Sequence, residues 1–156
     1  MSLQTIQFTQ EQARDLAGVS PGEVRAWRTA VGYLAAKPGK AARFTFADIL
    51  GLAITRRITG DFHVRISDIG DSLDALFRAL AEIRPADLEG SVALIDAQTA
   101  RLVSGADLGA KPLKDPTFVV PCAPLIDDLS RRVVPRAPAA RQAALPFAPQ
   151  MVKTGR

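Results

Sequence analysis

Cysteine and histidine occur once each in these 156 residues, at Cys122 and His63. One thiol cannot close a disulfide within the chain or build a multi-thiolate metal site, and such sparing use fits a reducing cytoplasm. One imidazole leaves a histidine-dependent triad or a His-rich metal site without partners, so His63 reads as a loop residue. Long hydrophobic runs are missing too: nothing approaches the roughly 20 apolar residues that span a bilayer. The start, Met1-Ser2-Leu3-Gln4-Thr5-Ile6, lacks the basic and then apolar regions of a secretory signal. A cytoplasmic protein without membrane contact is the expectation. No phosphate-binding glycine signature occurs, and Gly105 and Gly109 read as turn glycines. Asp127-Asp128 and the other acids are spaced as exposed caps and faces, with no second cluster for paired-carboxylate catalysis. The sequence therefore predicts a protein that is not an enzyme, with no cofactor and no metal site.

What remains is ordinary globular material, 47% apolar and 23% charged, enough for one core or for a small module plus a second unit. The charge is unevenly spread. Residues 1–65 hold nine Lys/Arg against five acids, residues 66–130 five against eleven, and residues 131–156 six against none. That is +4, −6 and +6, the sum being the net +4 of the chain. Only the two ends are suited to a polyanion.

Local signals order the first block. Thr9-Gln10-Glu11-Gln12 forms a capping box ahead of Ala13, Leu16 and Ala17. Gly18 can stop that helix in the left-handed conformation. Ser20-Pro21-Gly22-Glu23 opens a second helix with another capping box, whose Val24, Trp27 and Val31 form a core stripe. Tyr33-Leu34 and Arg43-Phe44 around Pro38-Gly39 predict a small hairpin with Lys37 and Lys40 at its tip. Thr45 caps a third helix, with Asp48 near the positive end of its dipole. A fourth helix is expected from Ser67 to Arg84, stopped by Pro85, with Asp68, Asp71 and Asp74 on its wet side. Ser91–Asp96 and Arg101–Ser104 predict a β-hairpin, Thr117–Val120 a short edge strand between prolines, and Leu125, Ile126 and Leu129 a helical turn or two. From about Val134 the chain is rich in Pro, Ala and Arg, as a disordered or extended basic tail is.

Residues 5–59 resemble the DNA-binding domain of the mercury-resistance-regulator (MerR) family. The resemblance rests on the Gly18-Val19-Ser20 turn, on Val24-Arg25 opening the second helix, and on Arg43-Phe44-Thr45 before the Ile49-Leu50 helix. It implies a winged helix-turn-helix, with the second helix in the major groove and a hairpin wing on flanking phosphates. Arg25 stands where the family has its helix arginine and Arg43 where it has the wing arginine. Trp27 replaces a usual tyrosine, and Ala26 replaces an aromatic that commonly touches the backbone. The family dimerises through one long antiparallel coiled-coil helix, whereas here the fourth helix ends at Pro85 after about five turns. Its metal sensors use cysteines in a number that this chain does not have.

The expected fold class is thus α+β, in three parts. Residues 1–65 form the winged helix-turn-helix, residues 66–130 the fourth helix with a small β unit for dimerisation or partner binding, and residues 131–156 the tail. The expected function is a sequence-specific transcriptional regulator binding double-stranded DNA as a homodimer, with RNA polymerase a further partner. Residues 21–65 carry eight basic side chains against three acids. Ser20, Glu23, Arg25, Arg28, Lys37, Lys40, Arg43 and Arg56 are the candidate DNA-binding residues, Glu23, Arg25 and Arg28 being those placed to read bases. For each of them a solvated helix face is the plain alternative. About four phosphate contacts per subunit would give a dimer a log–log salt slope near −7. Ile69, Leu73, Leu76, Phe77 and Leu80 are the candidate dimer or partner interface. Two other readings stay open: an excisionase-like protein that bends DNA, and a protein–protein adaptor using the winged helix.

Overall fold

The computed structural model describes residues 6–133, which are α+β. Strand β1 (Phe8–Thr9) leads into α1 (Gln10–Ala17), α2 (Pro21–Ala30) and the single turn α3 (Gly32–Ala35). Strand β2 (Arg43–Phe44) precedes α4 (Phe46–Asp61), and α5 (Gly70–Glu82) and the short α6 (Pro85–Leu88) follow. Strands β3 (Ser91–Ile95), β4 (Ala100–Ser104) and β5 (Phe118–Pro121) then lead into α7 (Cys122–Val133). The first sheet is β1–β2. The second is antiparallel in the order β4-β3-β5.

Three capping boxes start the long helices of the N-terminal half. Thr9 and Gln12 exchange bonds of 3.0 and 3.2 Å, Ser20 and Glu23 of 2.8 and 3.2 Å, and Thr45 and Asp48 of 2.8 and 3.2 Å. Each is worth about 1 kcal/mol and sets where a short helix begins. Gly18 ends α1 at φ 70°, a left-handed position that disfavours any Cβ. Val19 then turns into the core at 3% exposure, which leaves a three-residue turn between α1 and α2.

α4 is the central post. Ile49, Leu50, Ile54 and Ile58 are buried, and α1, α5 and α7 all pack against it. Gly51 permits the closest approach, because a Cβ there would fall on the Phe77 ring of α5. In the larger sheet Ala93 and Ile95 of β3 point inward to this core, while Val92 and Leu94 are buried on the outer face. One cluster of buried side chains runs from Phe8 to Leu129, so the division expected near residue 65 separates two sets of elements that share one core.

Several local expectations are corrected. Tyr33-Leu34 and Arg43-Phe44 do not pair. Gly32–Ala35 is a helical turn that buries Leu34, and β2 pairs instead with β1, Phe8 opposite Phe44 and Thr9 opposite Arg43. Burying both phenylalanines decides the partner. The fourth helix starts at Gly70, since Ser67 and Asp68 lie in a 3-10 turn. A Cβ on Gly70 would fall on the Ala30 carbonyl oxygen, so this helix start is pressed against the end of α2. Its other end comes at Glu82. Pro85 holds the preceding Arg84 extended and opens α6. Ile69, Leu73, Leu76, Phe77 and Leu80 are all at most 6% exposed within this chain's own core, so that stripe is not a surface for a partner. Asp74, expected on the wet side, is partly buried and accepts the Tyr33 amide, besides pairing with Arg78 at 2.8 Å. Arg131–Val133 end α7, and the tail from Val134 lies outside the described residues. Among the described residues no helix is long and apolar enough to cross a membrane.

Candidate nucleic-acid interface

α1 and α2 enclose an open cleft of about 720 Å³, with Thr9, Gln10, Glu11 and Arg14 on one side and Pro21, Arg25 and Arg28 on the other. Gly39 closes one end. Three arginines meet a single acid there. Arg25 is exposed, and its guanidinium makes no hydrogen bond or ion pair among the described residues. Arg14 touches Asp15 at 3.3 Å and keeps 23% of its side chain exposed. Arg43, opposite the lining residue Thr9 in the β1–β2 ladder, is exposed and donates 3.3 Å bonds to the Ala41 and Ala42 carbonyls. On α2 the outward residues are Pro21, Gly22, Arg25, Ala26 and Thr29, while Val24 and Trp27 hold it to the core.

Other residues singled out from the sequence have structural work. Arg28 is partly buried, donating to the Gln10 side chain at 3.3 Å and to the Lys37 carbonyl, and so ties α2 to α1 and to the segment before β2. Glu23 accepts the Ser20 amide, the largest cause of its lowered pKa; partial burial opposes this, and the Ser20 hydroxyl and Arg56 add to it. The Ser20 hydroxyl is likewise occupied by the Glu23 amide. Lys37 is not at a tip. Its ammonium is 3.0 Å from the Asp48 carboxylate, donates to the Arg43 carbonyl at 3.0 Å, and lies over the Tyr33 and Phe44 rings at 5.3 and 5.1 Å. Lys40 belongs to the 3-10 turn Gly39–Ala41, and its side chain lies outside the described part.

Arg56 lies in a different cleft, of about 250 Å³, with Arg57 and Asp61 of α4 and Asp128 and Arg132 of α7. It donates to the Gly18 carbonyl at 3.3 Å, and Arg132 donates to the Leu16 carbonyl at 3.1 Å. Arg57 pairs with Asp61 at 3.4 Å, and Arg132 with Asp128 at 2.6 Å. Two arginines thus satisfy the carbonyls at the negative end of α1. This cleft is a helix cap.

Comparison with family models, with curated proteins and with solved structures returns no match to this chain. The chemistry of the surface is therefore what bears on function.

That surface is cationic. Guanidinium groups on an open face bind phosphates and the edges of bases. Among the described residues no three His, Cys, Asp or Glu side chains gather as a metal site would require. Cys122 is fully buried, and burial pushes its thiol pKa up, so a nucleophilic thiolate is disfavoured. His63 is an exposed loop residue at φ 54°. Tyr33, Asp48 and Lys37 form the densest polar cluster, and Asp48 is 1% exposed with the Tyr33 hydroxyl at 2.7 Å. Burial and Asp48 raise the tyrosine pKa, keeping the hydroxyl a donor. This is an internal brace. Sequence reasoning missed Arg14, which helical spacing places one turn after Gln10 on the flank of the buried Ala13–Ala17 face.

Proposed function

We propose that the chain binds double-stranded DNA through the α1–α2 face as a sequence-specific transcriptional regulator, two copies acting on an inverted repeat. α1, the three-residue turn and α2 serve in this reading as a helix-turn-helix, and the β1–β2 ladder with Arg43 takes the place of a wing. The observation that carries the reading is the convergence of Arg14, Arg25 and Arg28 on one open cleft that Glu11 alone among acids lines, with Asp15 beside Arg14 and Arg43 exposed across the ladder from Thr9. Arg25, unengaged among the described residues, reads a base edge, for which paired donation to guanine suits an arginine. Arg14 and Arg43 neutralise phosphates, whereas Arg28 and Glu23 hold α2 in place. With Arg56 used as a cap, the two phosphate contacts per copy give two copies a log–log salt slope of about −4.

The test is selection from a random-sequence duplex pool, followed by anisotropy titrations at several salt concentrations. Arg43→Ala is expected to weaken all duplexes alike and to flatten the slope by about one per copy. Arg25→Ala is expected to change which sequence is preferred, with a loss of about ten- to a hundredfold on the best site. Affinity and preference untouched by Arg14→Ala, Arg25→Ala and Arg43→Ala would remove DNA from this face and favour a protein partner there.

A further inference from the structure

The larger sheet ends at β4, and that edge is open. The Gly105 amide donates to the Gly90 carbonyl at 2.8 Å and the Asp96 amide to the Thr99 carbonyl at 3.0 Å. With the β3–β4 register these bonds fix the alternation of the ladder. Thr99, Arg101 and Val103 turn their backbone groups towards β3, and Ala100, Leu102 and Ser104 turn theirs outward. Among the described residues no strand lies beyond β4 in the sheet. The opposite edge is differently made: β5 contains Pro121 and follows Pro116, so it is poor in donors. β4 has no proline, and Arg101 is its one charge.

We propose that β4 is a self-pairing edge that joins a second copy of this chain, making a six-stranded antiparallel sheet about a two-fold axis at Leu102. The spacing of the outward groups is self-complementary. Leu102 pairs with Leu102 of the second copy and Ala100 with Ser104, so every outward amide and carbonyl of the three residues gains a partner. Side chains are accommodated on both faces. A cleft of about 530 Å³ lined by Leu94, Val103 and Leu108 flanks the outer side of the edge, and one of about 440 Å³ lined by Ile83 and Leu102 flanks the inner side. Leu102 and Val103 are themselves only partly covered. In this register Arg101 of the second copy stands directly across from Val103, entering the cleft that Asp107 lines together with Arg101 and Lys111, and the two Arg101 side chains are diagonal rather than direct neighbours. A second copy therefore suits the edge better than an arbitrary extended peptide. The proposal takes from the functional reading only that the chain works in pairs, and its test uses no DNA.

Sedimentation equilibrium of the full chain is expected to give a dimer of the 16.7 kDa protein. Ser104 has φ −63° and an outward amide, so Ser104→Pro fits the backbone and removes that edge donor, together with the hydroxyl that accepts the Ala106 amide at 3.3 Å. It is expected to raise the dimer dissociation constant at least about tenfold with the circular dichroism unchanged. Val103→Lys, facing the second copy's Arg101, is expected to do the same, and adding Arg101→Glu to it is expected to restore the dimer. Arg25→Ala should leave sedimentation unaltered, so failure of the DNA reading and failure of this interface are distinguishable. A monomeric wild type, or a dimer indifferent to both Ser104→Pro and the Val103→Lys/Arg101→Glu exchange, overturns the proposal.

Discussion

Replacing Asp48 by alanine removes the acceptor of three groups at once. Its carboxylate is 1% exposed and takes the Tyr33 hydroxyl at 2.7 Å, the Thr45 amide at 2.8 Å and the Lys37 ammonium at 3.0 Å. Breaking a buried ion pair from one side costs about 3–5 kcal/mol, and the lost cap is part of that figure. Lys37 keeps 17% of its side chain exposed and can swing its ammonium to water, which places the expected loss near the lower end, about 3 kcal/mol. That is a large part of the roughly 5–15 kcal/mol by which a domain is stable. Asp48→Asn keeps one acceptor oxygen, which can face the Thr45 amide while its NH2 group donates to the Tyr33 hydroxyl oxygen, and should lose only about half as much. Urea unfolding followed by the fluorescence of Trp27, the single tryptophan and 3% exposed, measures both variants. A loss under about 1 kcal/mol for Asp48→Ala would refute the argument that this carboxylate is a buried brace between α3, β2 and α4.

Gly51→Ala should destabilise by about 1–2 kcal/mol in the same assay: crowding of the Phe77 ring outweighs the gain of about 1 kcal/mol from helix propensity. A more stable variant would mean that α4 and α5 do not meet so closely. Asp96 accepts the Gln98 and Thr99 amides at 2.7 and 2.8 Å, and these two bonds hold its pKa below the usual aspartate range. A lowered folded-state pKa gives stability that is complete above the unfolded pKa, about 4, and is lost as pH falls through the folded value. Urea midpoints taken from about pH 5 to pH 2 should therefore drop more steeply for the wild type than for Asp96→Asn. Parallel curves would contradict the assignment.

Much of the chain was legible where the signal is local. The three capping boxes lie within four-residue strings, and Gly18 announces its own conformation. The β3–β4 hairpin and β5 followed from short apolar runs between turn residues and prolines. Long-range choices were not legible. Nothing near Arg43-Phe44 says that Phe8-Thr9 is its partner, because the preference comes from burying two distant phenylalanines together. The Ile69–Leu80 stripe carries the same periodic signal whether it meets its own chain or another, and only the presence of α4 and the sheet decides between them. At the candidate interface the charge count was readable, but the direction of long side chains was not. Arg28, Lys37 and Arg56 fold back onto carbonyls or a carboxylate that the sequence alone does not bring near, whereas Arg25 remains outward and Arg14, partly covered, pairs with its neighbour Asp15.

The placement of α7 has a consequence for how the molecule comes into being. Leu125 and Leu129 cover α4, and Arg132 reaches the end of α1. A ribosome releases the arginine-bearing helices first, yet the residues that seal their underside emerge more than a hundred positions later, Arg132 bonding to Leu16. The surface proposed for DNA thus matures late, once the C-terminal helix has left the exit tunnel, and a chain cut short before Cys122 would present those arginines on an unfinished base.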